Sequence, residues 1–482
     1  MVGLGADAGG AFRPDGSPLE KPADRDGAGA PPPERERSSA VEDLFKAYDI
    51  RGDTATGAFT PDHARRIGAA FGRFGGGVTV AVGRDCRESS PLLASALMEG
   101  IVSAGADVLD LGAVATEVVY YVSGAADVAG AMVTASHNPP QWNGIKLCLP
   151  GAVPVGAGSG LEKVRRMAAR PISAAPRRGS VSARDAIEDY VNHIFSIVDS
   201  GSIAPLRVVV DGGNGMAATV VGPVFSRLPL SVTGLYLTPD GRFPNHPPDP
   251  IDPANLTDLV AKVMAIGADL GVAFDGDADR AFFVDNRGEP LSGSAVTSLI
   301  AGWALASAPG GRVVHNLICS RSVPEAISAA GGVPVRSRVG HSFMKHRMAE
   351  TGAVFGGEHS GHYYFASHFR ADSGMLATLA LIQILSGTHR TLSDLHAEVT
   401  PYHASGEINL AVVDREGSLE KVAEAFSSAR QDRLDGLTVS WSDRWFNLRP
   451  SNTEPLLRLN VEGPDRETVK GLADRVKSLV GS

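Results

Sequence analysis

The chain has 482 residues, of which 43% are hydrophobic and 21% are charged, and this length and composition suit about two to four globular domains. Its 54 Asp and Glu residues against 45 Lys and Arg give a formal net charge of −9. That balance argues against a nucleic-acid-binding protein, which needs a basic face, but not against a small anionic substrate in a locally positive pocket. The three scattered cysteines form no CxxC pair, which argues against a zinc knuckle and a disulfide framework.

The N-terminal part shows no targeting or membrane signal. No apolar run reaches the roughly 18–20 residues of a membrane helix, and the basic segment and apolar core of a signal peptide are both missing. We therefore expect a cytoplasmic protein that contacts neither membranes nor nucleic acids; nothing in the sequence specifies an oligomeric state. Residues 1–40 are rich in Gly, Ala, Pro and charge, which predicts a disordered tail.

Beyond the tail, short apolar runs alternate with helix-like segments. The predicted strands share a Val-rich or otherwise apolar run bounded by turn residues, and they cover residues 78–82, 130–134, 207–210, 270–274, 281–284 and 312–314. Helices are predicted over residues 91–104, with Ser89 or Ser90 as N-cap, and near residues 323–330. This alternation predicts α/β layers with largely parallel sheets.

A strand, a turn with a small or acidic residue and a helix recur after positions 78, 207 and 312. The spacing of roughly a hundred residues or slightly more is too long for a solenoid repeat, and it predicts three similar mixed-sheet α/β domains. Strands near 437–441 and 456–461 and a helix from Asp465 predict a smaller α+β domain at the end. The predicted boundaries are 1–40 for the tail, then 41–165, 166–288, 289–398 and 399–482 for the four domains.

The serine loop, residues 134–140, follows a predicted strand directly. Pro139 and Pro140 stiffen it and hold Ser136 at the sheet edge where α/β proteins bind ligands. Lys146 follows an Asn-Gly turn and can return to the same site. The loop lacks the G-x-S-x-G elbow of serine hydrolases, and a serine in such a loop, taken alone, is more often an ordinary loop residue.

The acidic loop, residues 275–280, places Asp275, Asp277 and Asp279 at alternate positions between two predicted strands. Three such carboxylates repel one another unless a cation lies between them, and their oxygens suit Mg²⁺ or Ca²⁺ rather than zinc. An EF-hand needs Gly at the sixth position and Glu at the twelfth, where this chain has Arg280 and Asn286. The choice is therefore between a Mg²⁺ site and a solvated acidic turn.

The glycine loop, residues 356–362, contains Glu358 and Ser360. Its glycines let the backbone approach a ligand, and the two side chains are able to hydrogen-bond vicinal hydroxyls. The Glu and His spacing differs from the H-E-x-x-H of metalloproteases. Alone, this segment is equally a polar loop.

The arginine loop, residues 449–455, combines Arg449, Ser451, Asn452 and Thr453. A guanidinium fork binds a phosphate bidentately, and hydroxyls add donors. Alone, this segment is equally a capped turn between strands.

The four loops, in this order, resemble those of the α-D-phosphohexomutases, and within them the phosphomannomutase/phosphoglucomutase group. The resemblance runs from Tyr-Asp-Ile-Arg-Gly at 48–52 to the arginine loop and onward, which is all of the chain except the tail. It implies four domains around a central cleft, each contributing one loop.

The resemblance also implies roles for individual residues. Ser136 would carry the phosphoryl group, and Asp275, Asp277 and Asp279 would hold one Mg²⁺ with it. The residues expected to line the reacting centre are Arg51, Lys146, Arg280 and His341. Those expected to bind the substrate are Tyr48, Glu358, Ser360, Arg449, Ser451, Asn452 and Thr453. Lys146 is the expected general acid–base if neighbouring cations lower its pKa.

The implied reaction interconverts mannose 1-phosphate and mannose 6-phosphate, with a hexose 1,6-bisphosphate as intermediate and activator. Glucose differs from mannose only at C2, so binding of the 3- and 4-hydroxyls by Glu358 and Ser360 predicts activity on both sugars. Ile318 stands where some dual-specificity relatives carry Lys. The alternative is a phosphoglucosamine mutase, a group that usually has Gly where this chain has Asn452. A metal-dependent phosphatase and a binding protein without turnover are the other classes considered, but a binding protein is expected to lack the serine or an aspartate.

Overall fold

The computed structural model describes residues 41–46, 48–75, 78–451 and 456–481, so the predicted tail lies outside the described residues. The described chain forms four sheets, taken up in the order of the sequence. Short 3₁₀ helices lie at Pro150–Ala152, Ser200–Ser202, Pro253–Leu256 and Ala366–His368. Among the helices that the structure describes, none is both long enough and apolar enough to cross a bilayer.

The first sheet has seven strands: β1 (Ile50–Asp53), β2 (Val80–Arg84), β3 (Val108–Ala113), β4 (Ala129–Val133), β5 (Trp142–Leu149), β6 (Val153–Pro154) and β7 (Val181–Ala183). Their order is β1-β5-β4-β2-β3-β7, with β6 beside β5, and the sheet is mixed because β5 runs antiparallel to its neighbours. Its helices are α1 (Pro61–Phe74), α2 (Ser90–Ser103), α3 (Thr116–Ala125) and α4 (Leu161–Ala168). The boundary at residue 165 stays a prediction, and β7 extends this sheet to Ala183.

Ser89 holds the N-cap position of α2, as predicted. Its side chain makes no capping hydrogen bond. Its Oγ accepts from Asn143 Nδ2 at 2.8 Å, and Ser90 Oγ donates to Asp85. Both hydroxyls are therefore used to join α2 to β5 and to the end of β2.

The second sheet contains β8 (Arg207–Asp211), β9 (Ser231–Leu235), β10 (Leu270–Phe274) and β11 (Ala281–Asp285) in the order β11-β10-β8-β9. Its helices are α5 (Ile187–Ile197), α6 (Ala218–Phe225) and α7 (Thr257–Ile266). Only the β10–β11 pair is antiparallel, and this hairpin carries the acidic loop at its turn. The strands predicted at 207–210, 270–274 and 281–284 are confirmed to within one residue.

The third sheet contains β12 (Arg312–Asn316), β13 (Val333–Ser337), β14 (Phe355–Gly357), β15 (Tyr363–Phe365) and β16 (Ala371–Asp372) in the order β13-β12-β14-β15-β16. Its helices are α8 (Gly293–Ala306), α9 (Ser322–Ala329), α10 (His341–Thr351), α11 (Gly374–Ser386) and α12 (Leu392–Val399). Parallel and antiparallel pairs are again mixed.

The fourth sheet is wholly antiparallel and contains β17 (His403–Ala411), β18 (Arg430–Asp432), β19 (Leu437–Ser440), β20 (Trp445–Pro450) and β21 (Leu456–Gly463). Two helices cover it, α13 (Arg415–Ala425) and α14 (Arg466–Val480). Asp465 caps α14 by accepting from Thr468 N at 2.7 Å. The predicted succession of three mixed-sheet α/β units and a smaller α+β unit is confirmed.

The cores explain why the loops meet. Strands β4, β10 and β11 are buried along their whole length, as expected for sheets covered on both faces. One apolar cluster continues from α3 and α5 through the second sheet into α8 and α11 of the third unit. This shared core fixes the ends of β4, β10 and β14, and with them the serine, acidic and glycine loops.

Candidate active site

Ser136 lies in the loop between β4 and β5 and has φ of +52°. This left-handed conformation is uncommon for a residue with a side chain, and such strain tends to persist where a functional geometry requires it. The backbone N–H of Ser136 donates to Thr134 Oγ1 at 2.9 Å. The side chain is 3% exposed, so its hydroxyl is presented to a confined space.

The acidic loop lies directly against Ser136. The hydroxyl of Ser136 donates to Asp275 Oδ2 at 2.6 Å, across 139 residues of sequence. Carboxylate oxygens of Asp275, Asp277 and Asp279 lie within 4.8 Å of one another. The structure thus brings together the predicted phosphoryl carrier and the three predicted metal ligands.

The three carboxylates fit a divalent cation. Asp277 Oδ2 accepts from Lys146 Nζ at 2.7 Å and from Thr116 Oγ1 at 2.6 Å. The Oδ1 atoms of Asp277 and Asp279 are buried and have no hydrogen-bond partner among the described residues. Burial and the neighbouring charge of Asp277 raise the pKa of Asp279 above its usual value, which shows how unfavourable this cluster of negative charge is. Buried anionic oxygens without partners are costly, and a hard cation would satisfy them.

Lys146 pairs with Asp277 and Asp279. The prediction of Lys146 as general acid–base depends on neighbouring cations, whereas its immediate partners in this structure are carboxylates. Burial alone would lower the pKa of Lys146, but the adjacent carboxylates raise it well above its usual value. In this arrangement Lys146 places a positive charge beside the acidic loop.

Two arginines hold the serine loop from either side. Arg280 donates from Nε to Asp275 Oδ2 at 2.8 Å and from Nη2 to Ser136 Oγ at 3.2 Å. Arg51 donates from Nη1 to Ala135 O at 3.2 Å and also to the side chain of Asn138. Both guanidinium groups lie where a phosphoryl group on Ser136 would need positive charge.

A cavity of about 110 Å³ opens at Ser136. Seven of the residues predicted from the sequence line it: Tyr48, Arg51, Ser136, Lys146, Asp279, Arg280 and His341. Tyr48 donates to Val339 O at 3.1 Å, and its ring meets that of His341 edge-on at 5.6 Å. Burial lowers the pKa of His341 to about 3, so this imidazole is neutral near pH 7.

His362 and Asp372 also line the cavity, and neither was predicted as a site residue. His362 Nδ1 lies 2.8 Å from Asp372 Oδ2. Burial would lower the pKa of His362, but Asp372 and Asp279 raise it above its usual value. The only sequence signal for His362 is its place at the end of the glycine loop, and Asp372 carries none.

The glycine loop is joined to the acidic loop, because Ala281 N donates to Gly361 O at 3.2 Å. Glu358 is 1% exposed and its carboxylate is already engaged. It accepts from Gly340 N at 3.1 Å and from Tyr364 Oη at 2.6 Å. Ser360 is half-buried in the turn between β14 and β15. Neither predicted sugar-binding residue lines the cavity at Ser136.

The arginine loop begins at the end of β20. Arg449 is buried and donates from Nη2 to Glu407 Oε2 at 2.7 Å, and Ser451 N donates to Leu456 O at 2.9 Å. The predicted phosphate ligands Asn452 and Thr453 lie outside the described residues. Arg449 and Ser451 do not line the cavity at Ser136.

The sequence matches family models for all four parts of one enzyme family. Residues 42–168, 188–288 and 292–402 match the phosphoglucomutase/phosphomannomutase α/β/α domains I, II and III. Residues 407–479 match the C-terminal domain of the same family.

Individual relatives agree with the family models. The chain is 38% identical over 448 residues to a phosphomannomutase of Escherichia coli K12, covering 90% of this chain and 98% of the relative. It is 40% identical over 424 residues to a Xanthomonas campestris protein described as phosphohexose mutases, covering 87% and 94%. A crystal structure of a phosphoglucomutase/phosphomannomutase family protein from Burkholderia thailandensis superposes with a TM-score of 0.83 at 32% identity, covering 91% and 98% of the two chains.

Proposed function

The chain belongs to the phosphoglucomutase/phosphomannomutase family of α-D-phosphohexomutases, and from that premise we propose that it is a Mg²⁺-dependent phosphomannomutase acting through a phosphorylated Ser136. As an isomerase of this kind it would interconvert mannose 1-phosphate and mannose 6-phosphate. The observation that carries the proposal is the 2.6 Å hydrogen bond from Ser136 Oγ to Asp275 within a cluster of three carboxylates. Phosphoryl transfer depends chiefly on positioning and charge neutralisation, and this site supplies both.

The charges around Ser136 suit a phosphoryl carrier. Arg280 donates to the serine oxygen at 3.2 Å, and Lys146 lies against the two outer aspartates. Asp275, Asp277 and Asp279 would hold Mg²⁺, which when bound neutralises charge on phosphoryl oxygens. The fixed cations of the chain would stabilise the charge that develops during transfer.

The proton of the attacking sugar hydroxyl needs an acceptor. Lys146, the predicted candidate, is paired with Asp277 and Asp279 in this structure. His362 is better placed, since Asp372 engages Nδ1 and so orients the ring within the cavity. Deprotonated at Nε2, His362 would accept that proton as the hydroxyl attacks phosphorus.

The complete cycle has two transfers. The bond from phosphorus to Ser136 Oγ breaks as a bond to the free sugar hydroxyl forms, giving a hexose 1,6-bisphosphate. After the bisphosphate reorients, its other phosphoryl group returns to Ser136 and the isomeric monophosphate leaves. The arginine loop would hold whichever phosphate is not reacting, through Arg449, Ser451, Asn452 and Thr453.

The sugar is proposed to be mannose, with glucose also accepted. Relatives named phosphomannomutase favour mannose, and Glu358 with Ser360 would contact hydroxyls common to both sugars. Ile318 is buried in an apolar cluster with Trp445, so it packs the fourth unit against the third. It therefore does not supply the sugar contact that a Lys at this position would make.

We also propose that the protein works in the cytoplasm. Its three cysteines, Cys86, Cys148 and Cys319, are all free thiols. Secreted proteins of oxidising compartments commonly use cysteines as disulfides, so this usage suits a reducing compartment.

A coupled assay on mannose 1-phosphate and glucose 1-phosphate, with and without glucose 1,6-bisphosphate, tests the proposal. We expect isomerisation of both sugars and activation by the bisphosphate. A preference above about a thousandfold in kcat/KM, worth roughly 4 kcal/mol, would contradict binding through shared hydroxyls. Release of inorganic phosphate without isomerisation would identify a phosphatase instead, and a strong preference for glucosamine phosphate would favour the alternative mutase.

A further inference from the structure

Arg87 is a buried arginine that the reaction described above does not use. It lies between β2 and α2, and its side chain has no exposed surface. All five N–H donors of its guanidinium find acceptors: Ser136 O and Asn138 O at 2.7 Å from Nη2, Pro139 O at 2.7 Å and Trp142 O at 3.1 Å from Nη1, and Asp85 Oδ2 at 3.0 Å from Nε.

Four of those five acceptors are backbone carbonyls of the serine loop and of the residue that starts β5. A planar fork with five donors is specific to arginine, because lysine offers three donors from one point. The guanidinium therefore fixes the path of the loop on both sides of Asn138. One of these bonds is to the carbonyl of Ser136 itself.

The guanidinium is itself held in place. Asp85 is 2% exposed and accepts from the backbone N of Arg87 at 3.0 Å as well as from Nε. The ring of Phe243, from the second unit, lies 5.0 Å from Cζ of Arg87. A Cβ on Gly241 would lie 2.4 Å from Cα of Arg87, so the backbone of the second unit packs closely against the backbone at Arg87.

These contacts bear on the strained conformation of Ser136. A left-handed backbone at a residue other than glycine is strained and persists only where its surroundings over-determine it. Ser136 Oγ must also meet Asp275 of the second unit at hydrogen-bond distance. A loop anchored by Arg87, which also contacts Phe243 of that unit, satisfies both requirements.

We propose that Arg87 is a positioning residue for the phosphoryl transfer: it holds the serine loop in the conformation that aims Ser136 Oγ at the acidic loop. The inference rests on the proposed phosphoserine function. Arg87 does not touch the reacting atoms, and it acts through the backbone of residues 136–142. A role confined to stability predicts a lower unfolding midpoint but an unchanged transfer rate per folded molecule.

The test replaces Arg87 by lysine, which keeps the charge and loses the fork. Ser136 phosphorylation by glucose 1,6-bisphosphate is followed by mass spectrometry in a single turnover, alongside kcat and KM for mannose 1-phosphate. A misplacement of about 1 Å can cost 100-fold in rate, so we expect R87K to phosphorylate about 100-fold more slowly, with KM changed less than about threefold. The control R73K alters an exposed arginine that donates to one carbonyl, Ser173 O, and should match the wild type.

The outcomes separate the two hypotheses. Absence of phosphate on wild-type Ser136 would overturn the proposed function itself. A phosphorylated wild type with R87K transferring at the same rate would overturn only the role of Arg87. If R87K does not fold, D85N carries the test, because it keeps the side-chain shape and removes the charge that orients Arg87. We then expect D85N to transfer about 10-fold more slowly, and a wild-type rate in D85N would overturn the inference.

Discussion

The Nδ1 atom of His362 lies 2.8 Å from the Oδ2 atom of Asp372. The other carboxylate oxygen of Asp372 lies 2.7 Å from Lys345 Nζ, whose ammonium also lies 4.0 Å from the ring centre of Tyr120. Because a hydrogen bond at one ring nitrogen determines the role of the other, this contact engages Nδ1, and Nε2 is the nitrogen that we propose accepts the proton of the sugar hydroxyl. Lys345, Asp372 and His362 of the third unit are thus linked by successive polar contacts, and the last two line the cavity at Ser136.

Replacement of His362 by Asn should lower kcat by about 100- to 10,000-fold, the usual contribution of a general acid–base group, with a much smaller change in KM. D372N should lower kcat less, since the imidazole remains but is no longer held in one orientation. The matched control is H346N, an exposed histidine on α10. Steady-state kinetics on mannose 1-phosphate measure all three, and wild-type kcat in H362N would refute the assignment of His362.

Mg²⁺ should stabilise the folded protein through the acidic loop. A ligand that binds only the folded state adds about 2.7 kcal/mol at one hundred times its Kd, so Mg²⁺ should raise the thermal midpoint of the wild type. Removal of one ligand in D277N should abolish the increase and the activity. D474N, which changes an exposed carboxylate on α14, should respond like the wild type. Equal increases in D277N and the wild type would show that the ion binds elsewhere.

Glu117 should make stability depend on pH. Burial raises its pKa from 4.5 to about 8, while Ser373 Oγ donates to its carboxylate. Between about pH 5 and 8 the folded state keeps a proton that the unfolded state has lost, so stability falls as pH rises, by up to about 1.4 kcal/mol per pH unit. E117Q removes this loss of stability. The thermal midpoint of E117Q minus that of the wild type should therefore be larger at pH 8 than at pH 6.

The control for Glu117 is E99Q, which alters an exposed glutamate on α2 that pairs with Arg65. The thermal midpoint of E99Q should differ from that of the wild type by the same amount at pH 6 and pH 8. If the thermal midpoint of E117Q also differs from the wild type by the same amount at both pH values, Glu117 does not titrate in this range.

Local apolar patterns and short motifs were sufficient to predict the α/β units and the four loops. The meeting of Ser136 with the acidic loop was predicted only through the resemblance to the phosphohexomutases. The pairing of His362 with Asp372 was not predictable, because it depends on how the turn after β14 faces β16. The raised pKa of Lys146 also depends on a long-range contact, with carboxylates more than a hundred residues away.

The role of Arg87 was not predictable from the sequence either. Its segment resembles a plain turn between a strand and a helix, and only the folded chain shows four carbonyls converging on its guanidinium. Buried arginines are rare unless paired, but burial itself is a property of the fold rather than of the local sequence.

The most direct test of the central claim is the phosphorylation state of Ser136. The purified enzyme, incubated with glucose 1,6-bisphosphate and Mg²⁺, is digested and the peptide containing Ser136 is analysed by mass spectrometry. We predict one phosphate on Ser136, its loss when mannose phosphate is added to enzyme freed of bisphosphate, and no turnover by S136A. An unmodified Ser136, or turnover by S136A at the wild-type rate, would contradict a reaction through phosphoserine.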